Sequence, residues 1–258
     1  MYEKELEVAI NAGLKAKEAI LDFYHHGFHV EIKSDKSPVT EADKTADEII
    51  RKEISKEFPT HAFLTEESED NKDRLNNEFV WIVDPVDGTK DFVAKDDQFT
   101  TNIALCRNHE VVLGVVLAPA LDTYYYAVKG EGAYKVTKGE KTRIHVSEKT
   151  SDITCLTSVF HLSPKEVEII EKHKDIITHV EKAGSSLKAC QISEGIAEIS
   201  YRLSDGTKEW DTAAFQIIVE EAGGYVLKLD QTPIKYNRED VYNRGGYIIL
   251  NNLKNWLL

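Results

Sequence analysis

The most constraining segment of this 258-residue chain is WIVDPVDGTKDF, residues 81–92. An apolar run from Phe79 to Val83 reads as a buried strand, and it leads directly into Asp84 and Asp87. Pro85 fixes the backbone between the two acids, and Gly88 permits a tight turn. Two carboxylates at the end of an apolar strand cannot both stay ionised without a cation or strong hydrogen-bond donors. A divalent ion answers that need. Oxygen ligands with no His or Cys beside them point to magnesium or manganese rather than zinc. Gly88 and Thr89 would then offer backbone N–H groups at a turn or helix start, which suits a phosphate. The same letters also make an ordinary polar turn, so the rest of the chain has to decide.

Upstream, Leu6, Ala9, Ile10, Leu14, Ala16, Ile20, Leu21 and Phe23 are spaced for one amphipathic helix over 3–24. HHGFHVEIKSDKSP reads as a short strand followed by a loop. Thr40 and Asp43 form a capping-box variant that opens a second helix with Ala46, Ile49, Ile50 and Ile54 on one face, ended by Phe58-Pro59. After residue 60, HAFLTEE, FVWIVDP, TTNIALCR, EVVLGVVLAP, DTYYYAVKG and GAYKVT form a meander of strands, with a hairpin at ALCRNHEVVLG. The run Tyr124-Tyr125-Tyr126 fits a strand there, not a base-stacking platform. From about residue 150 the pattern alternates. ITCLTSV, IITHVEK, IAEISY, GYVLKL and GYIILN read as strands; SPKEVEIIEKH, SSLKACQISEG and WDTAAFQIIVEEAG read as helices. The expected class is α+β, with an antiparallel N-terminal sheet and a smaller mixed α/β C-terminal sheet. A boundary near residue 148 separates an N-terminal subdomain, 1–148, from a C-terminal one, 149–258.

Composition narrows the partners. The net charge of -13, from 45 acidic and 32 basic residues, opposes binding to nucleic-acid polymers and anionic membranes. It still allows a small anionic substrate, because a bound divalent cation reverses the local field. Cys106, Cys155 and Cys190 are odd in number and far apart, so they read as buried thiols in a reducing compartment. MYEKELEVAI has no basic region followed by an apolar run, and no stretch approaches the ~20 apolar residues of a membrane helix. The expectation is a cytoplasmic protein with no integral membrane segment. The nine histidines show no paired metal spacing and read as surface or core residues. Oligomeric state is not legible.

Other carboxylates occupy similar positions. Glu66 and Glu67 follow the apolar run Ala62–Leu64, and Trp210-Asp211 opens a helix whose apolar side carries Ala213, Ala214, Ile217, Ile218 and Ala222. Taken singly, Asp211 could be a plain N-cap and Asp43 an ordinary first-turn acid. Taken in order, they are Asp43, Glu66-Glu67, DPVDGT at 84–89, and Trp210-Asp211, then eleven residues, then Gly223-Gly224. This order resembles the signature of the inositol monophosphatase superfamily, the lithium-sensitive, magnesium-dependent phosphomonoesterases. That group includes inositol monophosphatases, fructose-1,6-bisphosphatases and 3'(2'),5'-bisphosphate nucleotidases. The resemblance runs from about residue 5 to the C-terminus and implies a layered α-β-α-β-α sandwich. Val86 stands where the family usually has Ile or Leu, at a position used through its carbonyl.

The resemblance also implies roles. Glu66, Asp84 and the Val86 carbonyl would hold one metal; Asp84, Asp87 and Asp211 would hold a second; Glu66 would help with a third through water. Thr89 and Asp43 would orient and deprotonate the attacking water. Mg2+ is the implied ion, Mn2+ a substitute, and Li+ and Ca2+ inhibitors. Glu66, Val86, Asp87, Gly88, Thr89, Ser185 and Asp211 would surround the substrate, with Lys90, Lys188 and Arg202 as further candidates. Ser185 also reads as a plain N-cap and Lys90 as a solvated side chain.

Three features point to the nucleotidase branch: Lys90-Asp91-Phe92 after DGT, the segment GSSLKACQISEGIAEISY at 184–201, and Ser204 where the inositol branch places a Glu. PIKYNREDVYN at 233–243 agrees with it, whereas YRLSDGTKEWD departs by length and by its missing proline. The expected reaction is hydrolysis of adenosine 3',5'-bisphosphate to AMP and phosphate. The alternatives are an inositol monophosphatase or sugar bisphosphatase, and a non-catalytic metal- or nucleotide-binding regulator.

Overall fold

The computed structural model describes residues 1–32, 38–70 and 72–258. Helix α1 (Glu3–His26) starts with Glu3 and Glu5 in its first turn and buries Ala9, Ala12, Ala16, Ile20 and Tyr24. Acids there complement the helix dipole. Strands β1 (Val30–Ile32) and β2 (Pro38–Thr40) pair antiparallel; the loop expected between them, at 33–37, lies outside the described residues. Helix α2 (Glu41–Glu57) begins with the capping box read from Thr40 and Asp43, and it packs along α1 in a shared apolar cluster with Ile50 and Ile54.

Seven strands follow in spatial order: β3 (Ala62–Thr65), β4 (Phe79–Asp87), β5 (Thr100–Arg107), β6 (Glu110–Ala118), β7 (Thr123–Val128), β8 (Gly132–Thr137) and β9 (Glu140–Ile144). Short helix α3 (Thr89–Ala94) connects β4 to β5. The sheet is antiparallel except at one edge, where β3 runs parallel to β4, a departure from the all-antiparallel expectation. Strand β9 is absent from the sequence reading because four of its five residues are exposed, leaving no hydrophobic signal.

The second half contributes β10 (Ile153–Thr157), α4 (Pro164–Lys172), β11 (Ile177–Lys182), α5 (Leu187–Ser193), β12 (Ile199–Arg202), α6 (Glu209–Glu221), β13 (Tyr225–Lys228) and β14 (Tyr247–Leu250). Its five strands are ordered β11-β10-β12-β14-β13. The β10 pairings are parallel and the β14 pairings antiparallel, so this sheet is mixed.

Alternation along each strand builds the layers. Trp81 and Val83 face α1 and α2, while Val80 and Ile82 face α5 and α6. Both faces of β4 are therefore covered, which is why its sequence is continuously apolar. The second sheet shares the α5–α6 cluster through Leu156, Val226 and Ile249, and buries Ile153, Cys155 and Ile199 with Ile170 of α4. The result is α-β-α-β-α, with α5 and α6 between the sheets. The three cysteines are buried and unbridged. Among the described residues no helix is long and apolar enough to cross a membrane.

Gly114 of β6 sets the closest approach of the middle layer: a Cβ there would lie 2.3 Å from the Ala214 carbonyl oxygen and 2.7 Å from Ile217 Cγ2. Helix α6 cannot retreat without disturbing both sheets. Gly114→Ala is expected to destabilise by about 2–3 kcal/mol through overpacking, which for a chain of this size lowers Tm by roughly 5–10 °C. An unchanged melting temperature would mean that α6 is free to move away from β6.

Candidate active site

The site grows from an irregularity in β4. The strand pairs with β5 through Asp84↔Asn102, then resumes at Asp87↔Thr100, so Pro85 and Val86 form a bulge. The strand does not end at Val83, as the sequence reading had it, but carries both acids inside the ladder. Thr101 Oγ donates to the Pro85 carbonyl at 2.8 Å and holds the bulge. Bulges re-aim side chains, and Asp84, Val86 and Asp87 all line one cleft of about 560 Å³. Gly88, at φ +87°, supplies the left-handed turn into α3.

Asp84 is buried, 1% exposed, and neither of its carboxylate oxygens accepts a hydrogen bond. Glu66 and Asp211 each bring a carboxylate oxygen to it, and the three atoms lie within 4.8 Å of one another. Burial, then Glu66, Asp87, Asp211 and Asp43, hold the Asp84 carboxyl well above its ordinary pKa. Asp211 is pushed up to about 7 by burial, Asp87 and Glu66, against the Lys208 N–H. Asp87 is also raised by burial, but Lys188, the Ser186 hydroxyl and the Asn102 amide oppose the shift. Its Oδ2 accepts from Ser186 at 3.0 Å and from Thr100 and Asn102 at 3.3 Å each. A buried carboxylate with two orphaned oxygens beside two more acids is a donor set that fits a hard divalent cation.

Two helix starts deliver two of the acids by the same device. Asp43 is the third residue of α2: its Oδ2 accepts from Thr40 N at 2.8 Å and Thr40 Oγ at 2.5 Å, while Oδ1 faces the Thr89 hydroxyl at 3.3 Å. Asp211 is the third residue of α6, not its N-cap, because the helix begins at Glu209; its Oδ2 accepts from Lys208 N at 2.6 Å. In each case the cap fixes one oxygen and orients the carboxylate. Thr89 Oγ also lies 3.3 Å from the Val86 carbonyl, so the structure brings Thr89, Asp43 and Val86 together. Glu66 is placed by its backbone N–H, which donates to Val83 O and extends the β3–β4 ladder by one residue.

The cleft also carries basic side chains. Lys90, Lys188 and Arg202 line the cleft with Ser185, Ser204 and His161. Lys188 Nζ donates to the carbonyls of Ser185 at 2.8 Å and Ala183 at 3.2 Å; burial lowers its pKa to about 8, with Asp87 opposing. Arg202 Nη1 donates to His161 O at 3.1 Å. Burial, then Arg202, Lys90 and Lys188, lowers His161 to about 4. Ser185 is not an N-cap: its hydroxyl donates to Gln98 O at 2.8 Å, and α5 starts after Ser186. Trp210, Phe215, Tyr247 and Ile249 supply apolar lining. Sequence reading missed Ser186, Asn102, Thr101 and His161. Only Ser186 left a trace, as the second serine of the Gly-Ser-Ser run; the others act through cross-strand register and loop packing.

Comparisons with known proteins show what the chain as a whole is similar to. The profile of the inositol monophosphatase family matches residues 1–257. The chain is 36% identical over 254 residues to the 3'(2'),5'-bisphosphate nucleotidase CysQ of Buchnera aphidicola, covering 96% of this chain and 92% of that protein. It is 35% identical to the protein of the same name in Salmonella typhimurium, covering 95% and 98%. Among solved structures, CysQ from Bacteroides thetaiotaomicron, described as a bacterial member of the inositol monophosphatase family, superposes with a TM-score of 0.84 at 32% identity, covering 98% of this chain and 99% of that one.

Proposed function

The chain belongs to the inositol monophosphatase family, and from that premise we propose that it hydrolyses the 3'-phosphate of adenosine 3',5'-bisphosphate to AMP and phosphate, with Mg2+ as the resident ion. The observation that carries this reading is Asp84, buried with both oxygens unpartnered beside Glu66 and Asp211, in a cleft also lined by Lys90, Lys188 and Arg202. Glu66, Asp84 and the Val86 carbonyl would hold one ion, and Asp84, Asp87 and Asp211 a second. When bound, divalent ions neutralise phosphoryl oxygens and make a water more acidic.

The chain's own residues do the rest. Thr89 and Asp43 orient the attacking water, and Asp43 takes its proton through the Thr89 hydroxyl. A P–O bond to the water oxygen forms, the P–O bond to the sugar breaks, and the sugar oxygen takes up a proton. Phosphoryl transfer depends chiefly on positioning and charge neutralisation. The N–H groups of Gly88 and Thr89 receive the reacting phosphate. Lys188 and Arg202, with Lys90 and Ser185 at the rim, receive the second phosphate, and the nucleoside rests on Tyr247 and its apolar neighbours. Residues 1–148 would thus bring most of the metal carboxylates, and 149–258 the substrate wall with Asp211.

Ser204, which lines the cleft, offers a hydroxyl where inositol recognition calls for a buried acid. Each unpaired inositol hydroxyl would cost on the order of 1–3 kcal/mol. The expected result is a kcat/KM for adenosine 3',5'-bisphosphate that exceeds that for inositol 1-phosphate by at least roughly two orders of magnitude, about 2.7 kcal/mol of transition-state binding. Phosphate release from both substrates, and from fructose bisphosphate, measures it. Equal rates, or a preference for inositol, would reject the nucleotidase reading and leave the metal phosphatase intact.

A further inference from the structure

A buried polar network joins the segment that follows Glu66 to the turn that precedes Asp211, and none of its charged members lines the cleft. Arg74, 1% exposed, sits in a short 3-10 turn, Asp73–Asn76, downstream of Glu66. Its guanidinium grips Asp70 through Nε at 3.0 Å and Nη2 at 2.8 Å. It also reaches Asn237 Oδ1 at 2.8 Å and Arg238 O at 2.9 Å. Asn237 answers by donating Nδ2 to Arg74 O at 3.1 Å.

On the other side, Glu209 is fully buried and opens α6 two residues before Asp211. Its oxygens accept from Asn237 N at 2.6 Å and Arg238 N at 2.8 Å. Asn243 grips the same turn, donating to Lys208 O at 2.8 Å and Thr212 Oγ at 3.2 Å. Arg238 closes the loop, bonding Asn243 Oδ1 at 2.8 Å as well as Glu209.

We propose that Arg74 and Glu209 are positioning residues that, through the clasp at residues 236–243, hold Glu66 and Asp211 in register and so set the affinity of the site for its divalent ion. The inference rests on the reading of Glu66 and Asp211 as metal carboxylates. Like charges brought within 4.8 Å repel before any ion arrives, and β3 and the first turn of α6 are far apart in the chain. A rigid link between those two places limits the splaying. Burying an arginine and a glutamate is costly unless each is fully bonded, and here every bond goes to the two segments or to the clasp. Partners behind metal ligands commonly change metal affinity by about 10–100-fold when altered.

The test uses metal-free full-length protein, titrated with Mn2+ by calorimetry well below each variant's melting temperature, alongside the Mg2+ dependence of turnover. Arg74→Lys and Glu209→Gln are expected to weaken Mn2+ binding by about tenfold or more, raise the Mg2+ needed for half-activity in step, and leave kcat at saturating Mg2+ within about twofold. A merely structural role would lower Tm and move neither metal constant. Asn237→Ser removes only the side-chain link to Arg74 and serves if the charged variants do not fold; it is expected to shift the same constants in the same direction. Glu66→Gln and Asp211→Asn are the controls. If they lose Mn2+ binding while the clasp variants bind as tightly as wild type, the clasp is overturned and the carboxylate reading stands. If the controls also bind as wild type, the carboxylate reading falls and the clasp falls with it.

Discussion

Asp84→Asn is expected to lower kcat/KM by at least about three orders of magnitude, on the order of 4 kcal/mol of transition-state stabilisation, while the metal-free protein melts no lower than wild type. The two halves of that expectation come from one observation. Asp84 is buried with both oxygens unpartnered, and that burial, followed by four neighbouring acids, raises its pKa well above the ordinary range. Its negative charge is therefore a cost to the folded chain that only a cation relieves. Asparagine keeps the shape and removes the charge, so the fold loses a repulsive centre and the site loses the ligand shared by both proposed ions. Strained functional groups commonly trade stability for activity in this way. Steady-state kinetics and thermal melting in chelator-treated buffer measure the two quantities. Near-wild-type turnover would remove Asp84 from the metal site; a large fall in metal-free Tm would show that its charge is paired in the fold.

Removing the metal is expected to abolish turnover, Mg2+ to restore it, Mn2+ to substitute and Ca2+ to fail, because its larger, looser shell misplaces the reacting groups. The same experiment carries a pH signature. Asp84, Asp87, Asp91 and Asp211 all have folded-state pKa values above the ordinary 3.8, and Asp91 and Asp211 reach about 7. A carboxyl raised in the folded state contributes stability that is fully present below about pH 4 and is lost as pH rises through about 7. His161, lowered to about 4, works in the opposite sense below its ordinary pKa, so the metal-free curve alone mixes the two. The difference between Mg2+-loaded and metal-free Tm cancels the histidine. That difference is expected to be small near pH 5 and to grow steadily to pH 8, as the ligands shed the protons that compete with the ion. A Tm difference independent of pH would show that Asp84, Asp87 and Asp211 are not the carboxyls that bind it.

Strand ends and helix starts are local signals, so Glu66, Asp84, Asp87, Asp43 and Asp211 could be picked out singly as candidates, but only their order along the chain, which resembles the family's signature, joined them into one site. A continuously apolar strand running into DPVD, and acids at the start of two helices, can be read without knowing what packs against what; that Asp211 is the third residue of α6 and not its N-cap came only from the structure. Local signal also carried the two N-terminal helices, most strands of both sheets and the alternation of the second half. It failed at β9, whose exposed EKTRI offers no apolar periodicity, and at the β4 bulge, because a one-residue register shift exists only relative to β5.

What the sequence by itself determined is a set of candidates, Glu66, Asp84, Asp87, Asp211, Asp43 and Thr89, whose order resembles the signature of the inositol monophosphatase family. What only the tertiary structure decided is their mutual distance and protonation, which depend on long-range register and desolvation. The bulge held by Thr101, the donors from Asn102 and Ser186 to Asp87, the basic side chains that line the cleft with His161, and the Arg74–Glu209 clasp each join residues fifteen or more positions apart. Coulomb interaction and burial act on separation in space, not along the chain, so the raised pKa of a carboxylate such as Asp84 exists only once folding has buried it and placed its neighbours.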